Sequence, residues 1–144
     1  MIIDATTLFS DSQAITATAA STNVIDLGAT GTPAGSSVAL SRDIGKSGEI
    51  PLLVEVTEAF NNLTSLAIAV QVATDAAFTS PVEVATRTYL LAELTLGKRL
   101  SFPAEFPEGT NLRYVRIRYT VTGTAPTTGK VWAGVVASRQ TSDA

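Results

Sequence analysis

Asn111-Leu112-Arg113-Tyr114-Val115-Arg116-Ile117-Arg118-Tyr119-Thr120-Val121 is the stretch on which the fold turns. Val115, Ile117, Tyr119 and Val121 alternate in it with Tyr114, Arg116, Arg118 and Thr120. Successive side chains of a strand point to opposite faces, so this period of two describes a long strand with one buried face and one polar face. The pattern recurs at Leu52, Val54 and Val56 against Leu53, Glu55 and Thr57. It recurs again at Leu66, Ile68, Val70 and Val72 against Ala67, Ala69 and Gln71, where the small second face predicts close packing above it.

Shorter runs surround these three. Val24–Leu27, Ser37–Leu40, Val82–Thr86, Leu100–Phe102 and Lys130–Ala137 read as strands. Gly28–Ser37, Asp43–Gly48, Asp75–Pro81 and Gly123–Gly129 read as loops from their Gly, Pro, Asp and Ser content. Phe78 is expected to plug the core from its loop. Leu90, Leu91 and Leu94 sit at helical spacing before Gly97, which predicts one or two helical turns. Residues 1–22, rich in Ala, Thr and Ser, read as an extended N-terminal arm. Residues 139–144 read as a polar C-terminal tail. The domain between, residues 23–138, holds about eight short strands with no strand–helix alternation, so the fold class is all-β. An antiparallel β-sandwich follows, and eight strands fit a jelly roll. An immunoglobulin-type sandwich is the alternative, without the Cys–Trp–Cys framework of that fold.

The chain has 144 residues, the size of one domain. It has no cysteine and no histidine, so it lacks thiolate ligands, the commonest general base and the usual pH switch. Only 16% of residues are charged, against about 25% in an ordinary soluble domain. Either partners cover much of the surface, or the surface is simply neutral. The net charge of −3 gives no basic footprint for nucleic acid. The longest apolar run, Leu66–Val70, is far short of the ~18 residues of a membrane span, so no membrane partner is expected. Met1-Ile2-Ile3-Asp4 has neither the basic nor the long apolar region of a secretion signal. Gly45-Lys46-Ser47 resembles the end of a phosphate-binding loop, but Leu40 stands where the leading glycine belongs. The carboxylates are dispersed, and no pair is singled out by spacing. We therefore expect no catalytic, cofactor-binding or metal residues and no enzymatic activity. Arg113, Arg116 and Arg118 with Tyr114 and Tyr119 form the most distinctive cluster. It reads either as an interface or as a solvated strand face.

Six segments in order along the chain carry a resemblance. They are Leu8-Phe9-Ser10-Asp11-Ser12-Gln13-Ala14, Thr22-Asn23-Val24-Ile25-Asp26-Leu27-Gly28, Arg42-Asp43-Ile44-Gly45, Asp75-Ala76-Ala77-Phe78-Thr79-Ser80-Pro81, Arg113-Tyr114-Val115-Arg116 and Thr128-Gly129-Lys130-Val131-Trp132-Ala133-Gly134. Together they resemble a jelly-roll family of capsid cement, or decoration, proteins of tailed bacteriophages. The resemblance implies a non-enzymatic virion protein, made in the bacterial host cytoplasm and placed on the outer surface of the phage capsid. Its partners would be the major capsid protein, whose subunits it bridges, and itself, as a homodimer or homotrimer. It implies no cofactor. Gly31–Ser41 is longer than that family pattern leads one to expect, so no contact role is carried over to it. On this view Ile2, Ile3, Leu8 and Phe9 are the expected anchors of the arm. Tyr114, Arg116 and Arg118 are the expected contacts of the strand face. A carbohydrate- or receptor-binding jelly-roll module of a virion is the alternative function, and a β-sandwich hydrolase a third.

Overall fold

The computed structural model of the chain describes residues 4–46 and 48–139. Within them the alternating runs become eight strands: β1 (Leu8–Ala14), β2 (Ala19–Ala20), β3 (Ile25–Asp26), β4 (Leu52–Glu58), β5 (Leu63–Ala73), β6 (Val82–Leu90), β7 (Tyr114–Gly123) and β8 (Lys130–Val135). All pairings are antiparallel. One sheet has the order β1-β8-β4, and the other β2-β7-β5-β6 with β3 also on β7.

The order follows from one long ribbon. β1 pairs with β8, β2 and β3 pair with β7, and β5 pairs with β6. Residues 98–105 complete the set by running along β4. Leu100 N–H donates to Val54 O at 2.8 Å, Val56 N–H to Lys98 O at 2.9 Å and Leu52 N–H to Ala104 O at 2.9 Å. The first half of the chain is thus zipped onto the second. Wrapping the ribbon then brings β8 against β4 and β7 against β5. This is a β-sandwich with jelly-roll connectivity, which sets aside the immunoglobulin-type order.

The core lies between the inner faces. Val54, Val56, Val131 and Ala133 of one sheet meet Leu66, Ile68, Val70, Val72, Val115, Ile117 and Tyr119 of the other, all fully buried. Tyr119 carries a polar atom into this apolar layer. Its hydroxyl is 2.8 Å from Ser10 Oγ on β1, so one hydrogen bond joins the two sheets through the core. Burial pushes the Tyr119 phenol well above its ordinary range, against a smaller opposing effect of Ser10.

The reading of residues 1–22 as an arm is corrected. β1 lies inside the three-stranded sheet, and Phe9 and Ile15 are fully buried. The polar composition that pointed to an arm is consumed internally. Ser10 donates to Gln13 Oε1 at 2.8 Å, and Gln13 Nε2 donates to Ala20 O at 2.9 Å. Ser21 continues the path between β2 and β3. Its N–H donates to Ile117 O at 2.7 Å and its hydroxyl accepts from Ile117 N–H at 3.2 Å. The domain therefore begins by Leu8 rather than at residue 23. Ser37–Leu40 is not a strand. It belongs to an exposed loop closed by Leu40 N–H donating to Gly31 O at 2.9 Å. The helical spacing after Tyr89 yields a single 3-10 turn, Leu91–Glu93. Of the tail, only Arg139 is described, and its Nη2 donates to Leu100 O at 2.9 Å.

Two outcomes are expected. Phe9→Ala removes a ring packed edge-on against Phe106 at 6.3 Å, and should cost about 3–5 kcal/mol in denaturant unfolding. A surface arm residue would cost almost nothing. The raised Tyr119 phenol contributes stability that is present below the unfolded tyrosine value of about 10 and lost as pH climbs past it. Phenolate absorbance should therefore show one of the three tyrosines ionising only together with alkaline unfolding.

Candidate protein-binding interface

The outward residues of β7 are those the alternation predicted. Tyr114, Arg116 and Arg118 are half-exposed and Thr120 is exposed, while Val115, Ile117 and Tyr119 are buried behind them. In register across β5 lie Ala73, Gln71, Ala69 and Ala67. Ala69 and Ala73 are buried although they face outward, at 3% and 0% exposure. The long side chains of β7 account for this, because an arginine stem covers apolar surface while its head stays in water.

Arg116 is held from two sides. Its Nε donates to Gln71 Oε1 at 2.9 Å, and its guanidinium carbon stands 4.2 Å from the centre of the Phe78 ring. Phe78 is buried, but it lies outside the main core cluster. The expectation of a core plug is corrected: the ring lies against the Arg116 guanidinium. The loop that places it is fastened locally. The Asp75 carboxylate accepts from Thr79 N–H and Oγ1 at 3.1 and 2.9 Å, and Phe78 N–H donates to Asp75 O at 3.1 Å. Burial and the neighbouring Arg118 charge both lower the Arg116 pKa. Among the described residues, neither Arg116 nor Arg118 is ion-paired.

Arg113 behaves differently. Its Nε and Nη2 donate to the two Asp26 carboxylate oxygens at 2.7 and 2.8 Å, and its guanidinium lies 5.0 Å from the Tyr114 ring centre. Asp26 Oδ1 also accepts from Gly28 N–H at 2.8 Å. These bonds hold the Asp26 carboxyl down at about 2 and raise the Arg113 pKa. The arginine cluster seen in the sequence therefore splits into one closed pair and two open cations.

The Arg42-Asp43-Ile44-Gly45 segment is a fastener. Arg42 donates to Leu27 O and Gly28 O at 2.8 and 2.9 Å. Asp43 accepts from Gly45 N–H at 3.0 Å and from Gly109 N–H at 2.8 Å. Ile44 N–H donates to Thr110 O at 3.2 Å. Gly45 runs against the Pro107 backbone, where a Cβ would collide with the Pro107 carbonyl. The segment ties the β3–β4 loop to residues 107–110. The neighbouring Lys46 N–H donates to Asp43 O at 3.3 Å, the geometry of a turn.

Of the N-terminal anchors, Ile2 and Ile3 lie outside the described residues. Phe9 is in the core and cannot reach a partner from this fold. Leu8 is half-buried beside Gly134, on the outer face of the three-stranded sheet. Trp132 shares that face, and sequence reading had not singled it out. A Cβ on Gly134 would come within 3.0 Å of the Trp132 ring and 3.2 Å of Leu8 Cδ1, so the missing side chain makes room for both. The signal was available: Trp132 is out of phase with Val131 and Ala133, the inward residues of β8. The protein thus offers two outer sheet faces, one with Leu8 and Trp132 beside the Glu55–Arg99 pair and one with Arg116 and Arg118 along β7. Among the described residues, no helix is long and apolar enough to cross a membrane.

A family model described as Bbp16 matches residues 9–135, most of the chain. No curated protein matches it.

The depressed Asp26 pKa carries a sign. Its contribution to stability is present above the unfolded carboxylate value of about 4, and fades as pH falls toward 2. Melting curves of Asp26→Asn and the unsubstituted protein should therefore differ at neutral pH, with the variant melting lower. The two should converge between about pH 4 and 2.

Proposed function

The chain belongs to the Bbp16 family, and from that premise we propose that it is a capsid cement protein, which binds the outer surface of a tailed-phage head and bridges major capsid protein subunits. The family name suggests a phage-related protein. The observation that carries the proposal is the outer face of β7, where Arg116, beside Gln71, and Arg118, beside Ala69, have no acidic partner among the described residues. A shell protein needs broad, modest contacts repeated many times. Interfaces of about 1,600 Å² suffice, and linked contacts gain through effective concentration. Two outer sheet faces on one sandwich suit that task.

The carboxylates support a non-enzymatic role. Asp4, Asp26, Asp43, Glu58 and Asp75 accept hydrogen bonds from backbone N–H groups, and Glu55 pairs with Arg99. These groups are occupied in holding loops and strand ends. A sugar-binding platform has less support. Tyr119 is buried, which dissolves the Tyr114–Tyr119 cluster, and Trp132 lies on the other sheet from Tyr114. Partners on this reading are the major capsid protein and sister copies, with no cofactor.

The test uses heads of the encoding phage assembled without this protein. Purified protein added back should co-sediment with them to a saturating occupancy and raise the temperature at which the heads release DNA. Heads that stay bare at micromolar protein would overturn the proposal.

A further inference from the structure

The cationic face says what kind of surface it meets. Arg116 and Arg118 project from β7 two residues apart, about 6.6 Å along the strand. Arg116 is fixed by Gln71 and the Phe78 ring, so its geometry is set before any partner arrives. Arg118 has no hydrogen-bond or ion-pair partner among the described residues. Its register neighbours are Ala20 on β2 and Ala69 on β5, with Thr86 beyond on β6. Among the described residues, Asp26, Arg113 and Glu83 also carry charge at this face without pairing with Arg116 or Arg118. Asp26 is closed by Arg113. Glu83 lies opposite Gln71 on β6, two strand spacings from Arg116, roughly 9.6 Å. The chain carries a net charge of −3, yet here it keeps two like charges side by side, Arg118 between alanines and Arg116 beside Gln71 and Phe78.

We infer that the outer face of β7 and β5 is a docking surface for an acidic protein segment, one presenting two carboxylates about 6–7 Å apart to Arg116 and Arg118. That spacing belongs to alternate residues of a strand, or to residues four apart on a helix. A guanidinium meets a carboxylate with two parallel hydrogen bonds, and the small neighbours of Arg118 let the partner's backbone come close. On the cement reading, on which this inference rests, the segment belongs to the major capsid protein.

The experiment compares the unsubstituted protein with Arg118→Glu on DNA-free heads lacking this chain. Arg118 makes no bond to the described residues, so circular dichroism and melting should be unchanged. Affinity for the heads should fall about 30-fold or more, because like charges would then face each other. Heads whose carboxylates have been converted to neutral amides with carbodiimide and glycinamide should lose the unsubstituted protein to a similar degree. They should not discriminate further against the variant. Equal binding of the variant to untreated heads would overturn the inference while leaving the cement reading intact. A fall in the variant's mass in solution would assign the face to a second copy of the chain. Loss of duplex DNA binding, with head binding kept, would assign it to phosphates. Failure of the unsubstituted protein to bind the heads at all would remove the cement reading and this inference with it.

Discussion

Strand β7 cannot slip by one residue. Such a slip would turn Val115, Ile117 and Tyr119 to solvent and drive Arg116 and Arg118 into the apolar layer. The cost of burying two unpaired guanidiniums is several kcal/mol each, far more than a sheet recovers elsewhere. Everything adjacent inherits that register. β5 pairs with β7 from Leu63 to Ala73, and β2 and β3 take the other edge. Tyr119, fixed at its inward position, then reaches Ser10 on the opposite sheet. The constraint that builds the core is also the one that aims the arginines outward.

The loops solve a different problem, which is to turn a wrapped ribbon without leaving backbone groups unpaired. The acidic side chains do much of this. Asp26, Asp43, Glu58 and Asp75 each accept from a backbone N–H at a turn or strand end. Such side-chain to backbone bonds favour one shape for each loop. Several of the few carboxylates are tied in this way to the fold's own backbone while staying at the surface.

Much of this is legible in the sequence. The sandwich, the inward residues of β4, β5 and β7, and the outward Tyr114, Arg116 and Arg118 all follow from a period of two. The arm did not. Ser10, Asp11, Ser12 and Gln13 look solvated in a list of residues, and only their neighbours show that Ser10 and Gln13 are spent on the fold. Phe78 is expected to plug the core from its loop, but a fastened turn carries it to the guanidinium of Arg116. The arginine cluster looked uniform until Asp26, 87 positions earlier, was found on Arg113.

The sequence by itself determined the strand faces. Side-chain alternation is a local property of extended backbone, and apolar burial decides which face turns inward. It also determined the absence of histidine and cysteine, and so the narrow range of chemistry open to the chain. Only the tertiary structure decided which polar groups remain for a partner. Hydrogen bonds between residues far apart in the chain, such as Ser10 with Tyr119 and Asp26 with Arg113, have no local signature. They depend on how the ribbon wraps. Their sum leaves Arg116, Arg118 and Trp132 facing outward on the two sheets.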